Sequence, residues 1–190
     1  MTRIAVSGAS GRMGRAILAV VAEDEEAELS AAFTHPDDDA VGRDAGEVAR
    51  VGALGVALAP LEATGPIDAD VLIDFSSPAG AAAAAARCAA AGKGLVSGTT
   101  GLGTEAEARL DALAARAPVV HAPNMSVGVT LLFRLAELAA RGLGGDFDPE
   151  IVEMHHRHKV DAPSRTAVRL AERVDRKSTR LNSSHVCSTR

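Results

Sequence analysis

The sequence predicts an α/β protein built on a parallel sheet with helices on both faces. Two observations predict it. Short β-rich runs alternate with helical patterns, and a glycine-rich turn stands directly between the first run and the first helix. Ile4-Ala5-Val6 is the first strand, and Met13, Ile17, Val20 and Val21 then give a helix with one apolar face. Leu29 to Phe33 reads as a second strand and Val71 to Phe75 as a third. Ser77-Pro78 supplies an N-cap and first-turn proline for the alanine-rich helix that follows. Leu95-Val96-Ser97 is a fourth strand, and Thr104 with Glu107 is expected to form a capping box before Leu110 and Leu113. Pro118-Val119-Val120 is a fifth strand, and Val127 to Leu143 a long helix. Ligands of such sheets bind beyond the carboxyl ends of the strands, so the loops after Val6, Phe33, Phe75, Ser97 and Val120 are the ones to watch.

Composition excludes several function classes. A net charge of -5 over 190 residues and a pI near 5.7 oppose a nucleic-acid backbone or an anionic membrane as the main partner. With 2% aromatic residues and no Trp or Tyr, there are almost no rings on which bases can stack. No apolar run reaches the ~18–20 residues of a membrane span. Met1-Thr2-Arg3-Ile4 leads straight into a strand and leaves no room for a signal peptide, so the expected location is cytoplasmic. Cys88 and Cys187 form neither a disulfide framework nor a zinc spacing.

Gly8-Ala9-Ser10-Gly11-Arg12-Met13-Gly14 closes a strand and opens a helix, the context in which a Rossmann-type turn binds a dinucleotide. The first glycine permits the tight turn, the second lets backbone approach a pyrophosphate, and the third lets helix pack on strand. The helix N-terminus then offers free N–H groups and a positive dipole end. The spacing is GxxGxxG, which a plain strand-to-helix turn also uses. The acid that binds a ribose 2′-OH at the end of the second strand is missing. Thr34 and His35 stand there, with Asp37, Asp38 and Asp39 beyond. With no carboxylate at that place a 2′-phosphate is not repelled, and the expected cofactor is NADH or NADPH.

Glu153 to Ser164 is the chemically densest stretch. A solvated polar loop and a metal site are both open readings of its three histidines, although Arg157 and Lys159 beside them would repel a cation and no metal site is expected. The chemistry fits an anionic-substrate site in which Lys159 and imidazoles hold carboxylates and one histidine serves as the acid. Ser164 is expected to cap a helix with Ala167, Leu170, Ala171 and Val174 as its apolar stripe. Residues 176–190 carry five basic residues, no acid and no apolar period, and are expected to form an unrelated or disordered tail.

GASGRMG after the first strand, Asp74-Phe75-Ser76, Gly98-Thr99-Thr100-Gly101, Ala122-Pro123-Asn124-Met125-Ser126-Val127-Gly128 and Glu153 to Ala167 occur in an order that resembles the bacterial dihydrodipicolinate (4-hydroxy-tetrahydrodipicolinate) reductases. The resemblance covers about residues 3 to 174. It implies NAD(P)H-dependent reduction of a small cyclic dicarboxylate in lysine and diaminopimelate biosynthesis, by a protein that is a homotetramer at full length. It assigns residues 1–124 to a Rossmann-type dinucleotide-binding domain and 125–175 to a second, incomplete α+β domain, a partial substrate-binding and oligomerisation domain. Cofactor contacts are implied for Gly8, Ala9, Ser10, Gly11, Arg12, Met13, Gly98, Thr99, Thr100, Ala122, Pro123, Asn124 and Met125. His155 and Lys159 are the implied catalytic pair, and His156, Arg165 and Thr166 the implied substrate contacts. The chain departs from the family in three ways. Arg165 replaces a glycine, Met125 replaces a more usual aromatic, and family members run longer, with strands on which the Ala167–Val174 stripe would pack. A catalytically silent nucleotide-binding fragment is therefore the alternative reading.

Overall fold

The computed structural model describes residues 1–61, 67–144, 147–155, 163–175 and 186–189, in two compact units, Met1–Ala122 and Pro123–Arg190. In the first unit the elements follow as β1 (Thr2–Ser7), α1 (Arg12–Glu23), β2 (Ala27–Thr34), α2 (Ala45–Ala49), β3 (Leu58–Pro60), β4 (Val71–Asp74), α3 (Pro78–Ala91), β5 (Gly94–Ser97), α4 (Thr104–Ala114) and β6 (Val119–His121). The six strands are all parallel, in the order β3-β2-β1-β4-β5-β6. The order reverses between β1 and β4, and in sheets of this kind that crevice receives the ligand.

Strand alternation places apolar side chains on both faces of the sheet. Ala5 of β1 joins Leu72, Leu95 and the inner faces of α3 and α4, through Ala84, Ala85, Cys88, Leu110 and Leu113. Its neighbour Val6 joins Leu29, Leu58 and the α1 residues Leu18 and Val21 on the other side. The alanine run of α3 is thus a packing device, with Ala81, Ala84 and Ala85 fully buried. Each wholly buried leucine, such as Leu18, Leu72 or Leu95, adds about 1.5–3 kcal/mol to this two-sided core.

Three local expectations differ from the structure. Thr104 is the first helical residue of α4 and not its cap. Gly103 takes the N-cap position with no side-chain bond, while Glu105 and Glu107 lie in the first turn and favour the helix dipole. The sheet also has a sixth strand, β3, unread because it is three residues long and ends in Pro60, a composition that suits only an edge. Here the edge pairs through Ala32, Phe33 and Thr34. The third difference is the short helix α2, which is capped by Asp44.

The second unit holds α5 (Val127–Leu143), β7 (Ile151–Met154), α6 (Arg165–Asp175) and β8 (Val186–Thr189). Residues 186–189, expected in a tail outside the fold, instead pair in parallel with β7, from Ile151↔Val186 to Met154↔Thr189. The physical reason is the open edge of β7, whose N–H and C=O groups take up the extended Val186-Cys187-Ser188-Thr189 backbone. The apolar stripe of α6 also has partners, contrary to expectation: Ala167, Ala171 and Val174 are buried, and α6 packs on α5 and β7. Glu137, buried on α5, is paired with Arg141 on its own helix and with Arg173 of α6 at 3.5 Å, which ties the two helices together.

Two glycines give a stability test. A Cβ at Gly14 would overlap the Gly8 carbonyl oxygen and lie 2.6 Å from Ala9 Cα, both rigid backbone. Gly142, exposed in α5, has nothing within 4 Å of that position. Gly14→Ala is expected to destabilise the first unit by about 1–3 kcal/mol or more. Gly142→Ala is expected to stabilise by up to about 1 kcal/mol. Urea denaturation of the two variants checks the opposite signs.

Candidate functional site

β1 ends in a buried serine, Ser7, and the chain turns at Gly8 with φ +76°. The positive φ favours glycine, and so does the space: a Cβ there would lie 2.8 Å from the Phe75 carbonyl carbon at the end of the adjacent strand β4. Ala9 is fully buried and donates its N–H to the Phe33 carbonyl at 2.9 Å, fixing the turn to the end of β2. Gly11 caps α1, donates to the Gly8 carbonyl at 3.0 Å, and has no neighbour other than that oxygen around its missing Cβ. Arg12 and Met13 follow it, both exposed. The three glycines therefore divide their work. Gly8 and Gly14 serve close packing, and Gly11 leaves backbone open at a helix N-terminus with no acid in its first turn. That is the cradle a pyrophosphate needs.

The loops after β4 and β5 meet around one buried carboxyl. Asp74, fully buried at the end of β4, accepts hydrogen bonds from Ser97 Oγ at 3.0 Å, Thr99 Oγ1 at 2.7 Å and Ser76 Oγ. The Ser76 N–H donates to Thr99 Oγ1 at 3.0 Å, and the Gly98 N–H to the Asp74 carbonyl at 2.9 Å. Gly98 has to be a glycine because a Cβ would enter the Phe75 ring. Thr99 is held inside and Thr100 is exposed at the surface. Ala122 follows β6 and donates to the Ser97 carbonyl at 3.2 Å. The structure thus brings the glycine turn, Gly98–Thr100 and Ala122 to one end of the sheet.

Beside the turn lies a groove of about 280 Å³ lined by Gly8, Ser10, Thr34, Asp38, Ser76 and Gly80, among others. Asp38, four residues past the strand end, reaches back to it. Its Oδ2 accepts from Ser10 Oγ at 2.6 Å and Thr34 Oγ1 at 2.8 Å. The strand end is therefore not without an acid, as a reading of Thr34 and His35 alone would have it.

In the second unit His155 follows β7, and its Nε2 lies 2.8 Å from Glu153 Oε2. Glu153 Oε1 accepts the Ser164 N–H at 2.7 Å, and the bonds from Ser164 and His155 hold its carboxyl down at about 2. Ser164 is buried and caps α6, accepting the Ala167 N–H at 3.0 Å. Thr166 Oγ1 lies 3.5 Å from Asn124 Nδ2, while Asn124 Oδ1 accepts the Ser126 N–H at 2.8 Å. Pro123 and Met125 flank Asn124 at the start of this unit, and Arg165 opens α6 exposed. His156 and Lys159 lie outside the described residues. The sequence reading gave Glu153 no role of its own, yet its pairing with His155 was legible there. It stands two positions before His155 on a strand, a spacing that puts both side chains on one face. Asp74 was likewise legible as an acid inside the aliphatic strand Val71-Leu72-Ile73.

The strand order, the glycine turn at the point of reversal and the polar loops beyond it define a Rossmann-type α/β protein. Its first 2–125 residues match the family described as dihydrodipicolinate reductase, N-terminus, and residues 128–190 match dihydrodipicolinate reductase, C-terminus. The chain belongs to the dihydrodipicolinate reductase family. It is 53% identical over 173 residues to the 4-hydroxy-tetrahydrodipicolinate reductase of Alkalilimnicola ehrlichii, covering 91% of this chain and 65% of that protein. The reductase of Saccharophagus degradans is 50% identical over 171 residues, covering 90% and 64%. The chain thus spans about two thirds of the length of these curated relatives. Among solved structures it is similar to a dipicolinate-bound dihydrodipicolinate reductase from Paenisporosarcina sp. TG-14, with a TM-score of 0.73 and 29% identity over 97% of this chain and 69% of that one. An aspartate semialdehyde dehydrogenase from Candida albicans shares the fold alone, with a TM-score of 0.51 and 14% identity over 81% of this chain and 50% of that one.

The Glu153 bonds predict an acid transition. Its carboxyl is depressed from 4.5 to about 2 on folding, so the stabilisation is complete above pH 4.5 and is lost as pH falls toward 2. Glu153→Gln removes the charge at every pH. The melting temperature of the native chain should exceed that of Glu153→Gln at pH 6, and the gap should close between about pH 4.5 and 2. Thermal melts by circular dichroism across that range test this, and a gap independent of pH contradicts it.

Proposed function

We propose that this chain carries the cofactor-binding and substrate-binding residues of an NAD(P)H-dependent 4-hydroxy-tetrahydrodipicolinate reductase of lysine and diaminopimelate biosynthesis. The observation that carries the reading is the Glu153–His155–Ser164 arrangement, in which Glu153 joins the two ends of the run His155-His156-Arg157-His158-Lys159-Val160-Asp161-Ala162-Pro163-Ser164. Its support in the first unit is the open cradle at Gly11.

In this reading Gly8 to Met13 and Gly98 to Thr100 hold the dinucleotide, with Ala122 to Met125 continuing the contact. Backbone N–H groups of Arg12 and Met13, at the start of the helix and without an intrahelical acceptor, take the pyrophosphate. The bound nicotinamide supplies a hydride. The overall change consumes the hydroxy-dicarboxylate, NAD(P)H and one proton, and yields tetrahydrodipicolinate, NAD(P)+ and water. His155 is the group that holds and moves the proton. Glu153 fixes its ring through Nε2 and leaves Nδ1 for the substrate side. Lys159 and His156 supply cationic and hydrogen-bonding partners for the two carboxylates, and Thr166 adds a hydroxyl. Arg165, exposed at the first position of α6, brings a side chain where the family has a glycine. It favours the second reading, a fragment that binds nucleotide and does not turn over.

Loss of NAD(P)H absorbance with freshly prepared substrate separates the two readings, since turnover supports the reductase and nucleotide binding without turnover supports the fragment. In a version extended to the length of its relatives, His155→Ala and Lys159→Ala should each lower kcat by about 10²-fold or more and leave nucleotide affinity unchanged. Near-normal turnover in either variant removes that residue from the mechanism. Gly11→Val should weaken NADH and NADPH alike in a fluorescence titration, because the new side chain fills the space left for phosphate. Unchanged affinity for both contradicts the cradle.

A further inference from the structure

The groove beside the glycine turn ends in a ring of three oxygens, of which only that of Ser10 belongs to the cofactor contacts above. Ser10 Oγ and Thr34 Oγ1 are 2.7 Å apart, and each lies within 2.8 Å of Asp38 Oδ2. Asp38 Oδ1 accepts the Ala40 N–H at 2.8 Å, which locks the carboxylate in place. The bonds from Ser10, Ala40 and Thr34 lower its carboxyl below the usual carboxylate range, so it is charged at neutral pH. Two hydroxyl hydrogens serve this ring. When both point at the carboxylate, the ring has only lone pairs left to offer the groove, together with a negative charge.

That inventory discriminates between the two nicotinamide dinucleotides. A ribose 2′-hydroxyl brings a hydrogen to donate and no charge. A 2′-phosphate brings acceptor oxygens and negative charge to a ring that has acceptors and a negative charge of its own. Arg15, His35 and Arg12 are the basic side chains of the adjoining segments, and Asp37 and Asp39 the acids. Arg15 acts on Asp38, but its Nε is bonded to the Ser10 carbonyl at 2.7 Å. His35 is exposed and lies 3.8 Å from Asp37, and Arg12 is exposed on α1.

We propose that Asp38, held by Ser10 and Thr34, is the specificity-determining residue that makes this site select NADH over NADPH, by accepting the ribose hydroxyl and repelling a 2′-phosphate. The proposal rests on the reading of the first unit as a nicotinamide-dinucleotide site. It goes beyond the sequence expectation, which left NADH and NADPH both open.

Calorimetric titration of the 190-residue chain with NADH and with NADPH at one ionic strength tests it. The native chain should bind NADH more than about tenfold tighter than NADPH, the scale expected for a like-charge contact. In Asp38→Asn and in Asp38→Ser, which keeps a short acceptor for the Ala40 N–H, the ratio should fall toward one, chiefly through tighter NADPH binding. Circular dichroism verifies that both variants are folded, and the native ratio alone is informative if either is not. A native ratio near one, or a ratio unchanged in folded variants, overturns the assignment of Asp38 and leaves the nucleotide site standing. Failure of the native chain to bind either nucleotide overturns both.

Discussion

The carboxyl end of the sheet depends on how the chain leaves β1 and β4, the two central strands on either side of the order reversal. Their ends are so close that the carbonyl of Phe75 occupies the space a Cβ of Gly8 would need. Phe75 N–H donates to the Ser7 carbonyl at 3.1 Å, extending the pairing one residue past the strand. From that contact the two loops must diverge, one into α1 and the other into α3, and the crevice between them is the groove that Gly8, Ser10, Ser76 and Gly80 line. Gly14 then lets α1 settle against the same turn, and a helix N-terminus is aimed at the crevice as a consequence of packing.

Asp74 performs the corresponding task for β5. A fully buried carboxyl is costly unless its oxygens are bonded, and here three hydroxyls and no cation are its recorded partners among the described residues. Because the hydroxyls belong to Ser76, Ser97 and Thr99, satisfying one buried group also sets the path of two loops. Thr99 is thereby fixed inside, and the Gly98–Thr100 backbone is presented at the same end of the sheet as the glycine turn. The second unit uses the same economy. Glu153 bonds a backbone N–H with one oxygen and an imidazole with the other, so the start of α6 and the orientation of His155 are fixed by a single side chain.

Much of this was legible in the sequence. Periodicity and turn chemistry identified β1, α1, β2, β4, α3, β5, α4, β6, α5 and the Ser164-capped α6, because in each the apolar spacing and the flanking residues agree. What escaped has physical reasons. β3 is short and ends in proline, and α2 is one turn held by Asp44. β7 and β8 support each other only as a pair, which no local window reveals. The geometry of the candidate site was legible where it is built from backbone, as at Gly8, Gly11 and Gly98, since a missing Cβ is visible in the sequence. It was illegible where it is built from side chains that reach across the fold. Asp38 is four residues past Thr34, and only the turn through His35 and Asp37 returns its carboxylate to the strand end.

The proposed dinucleotide site lies at the order reversal, on the turn after β1 and the loop after β5. The most direct test is to map amide chemical-shift changes in the labelled chain as NADH is added. The account predicts that the largest changes fall on Gly8 to Met13, on Thr34 to Asp38 and on Gly98 to Thr100, with the body of α3 and α4 unmoved. Changes confined to other surfaces, or none at saturating NADH, would contradict it.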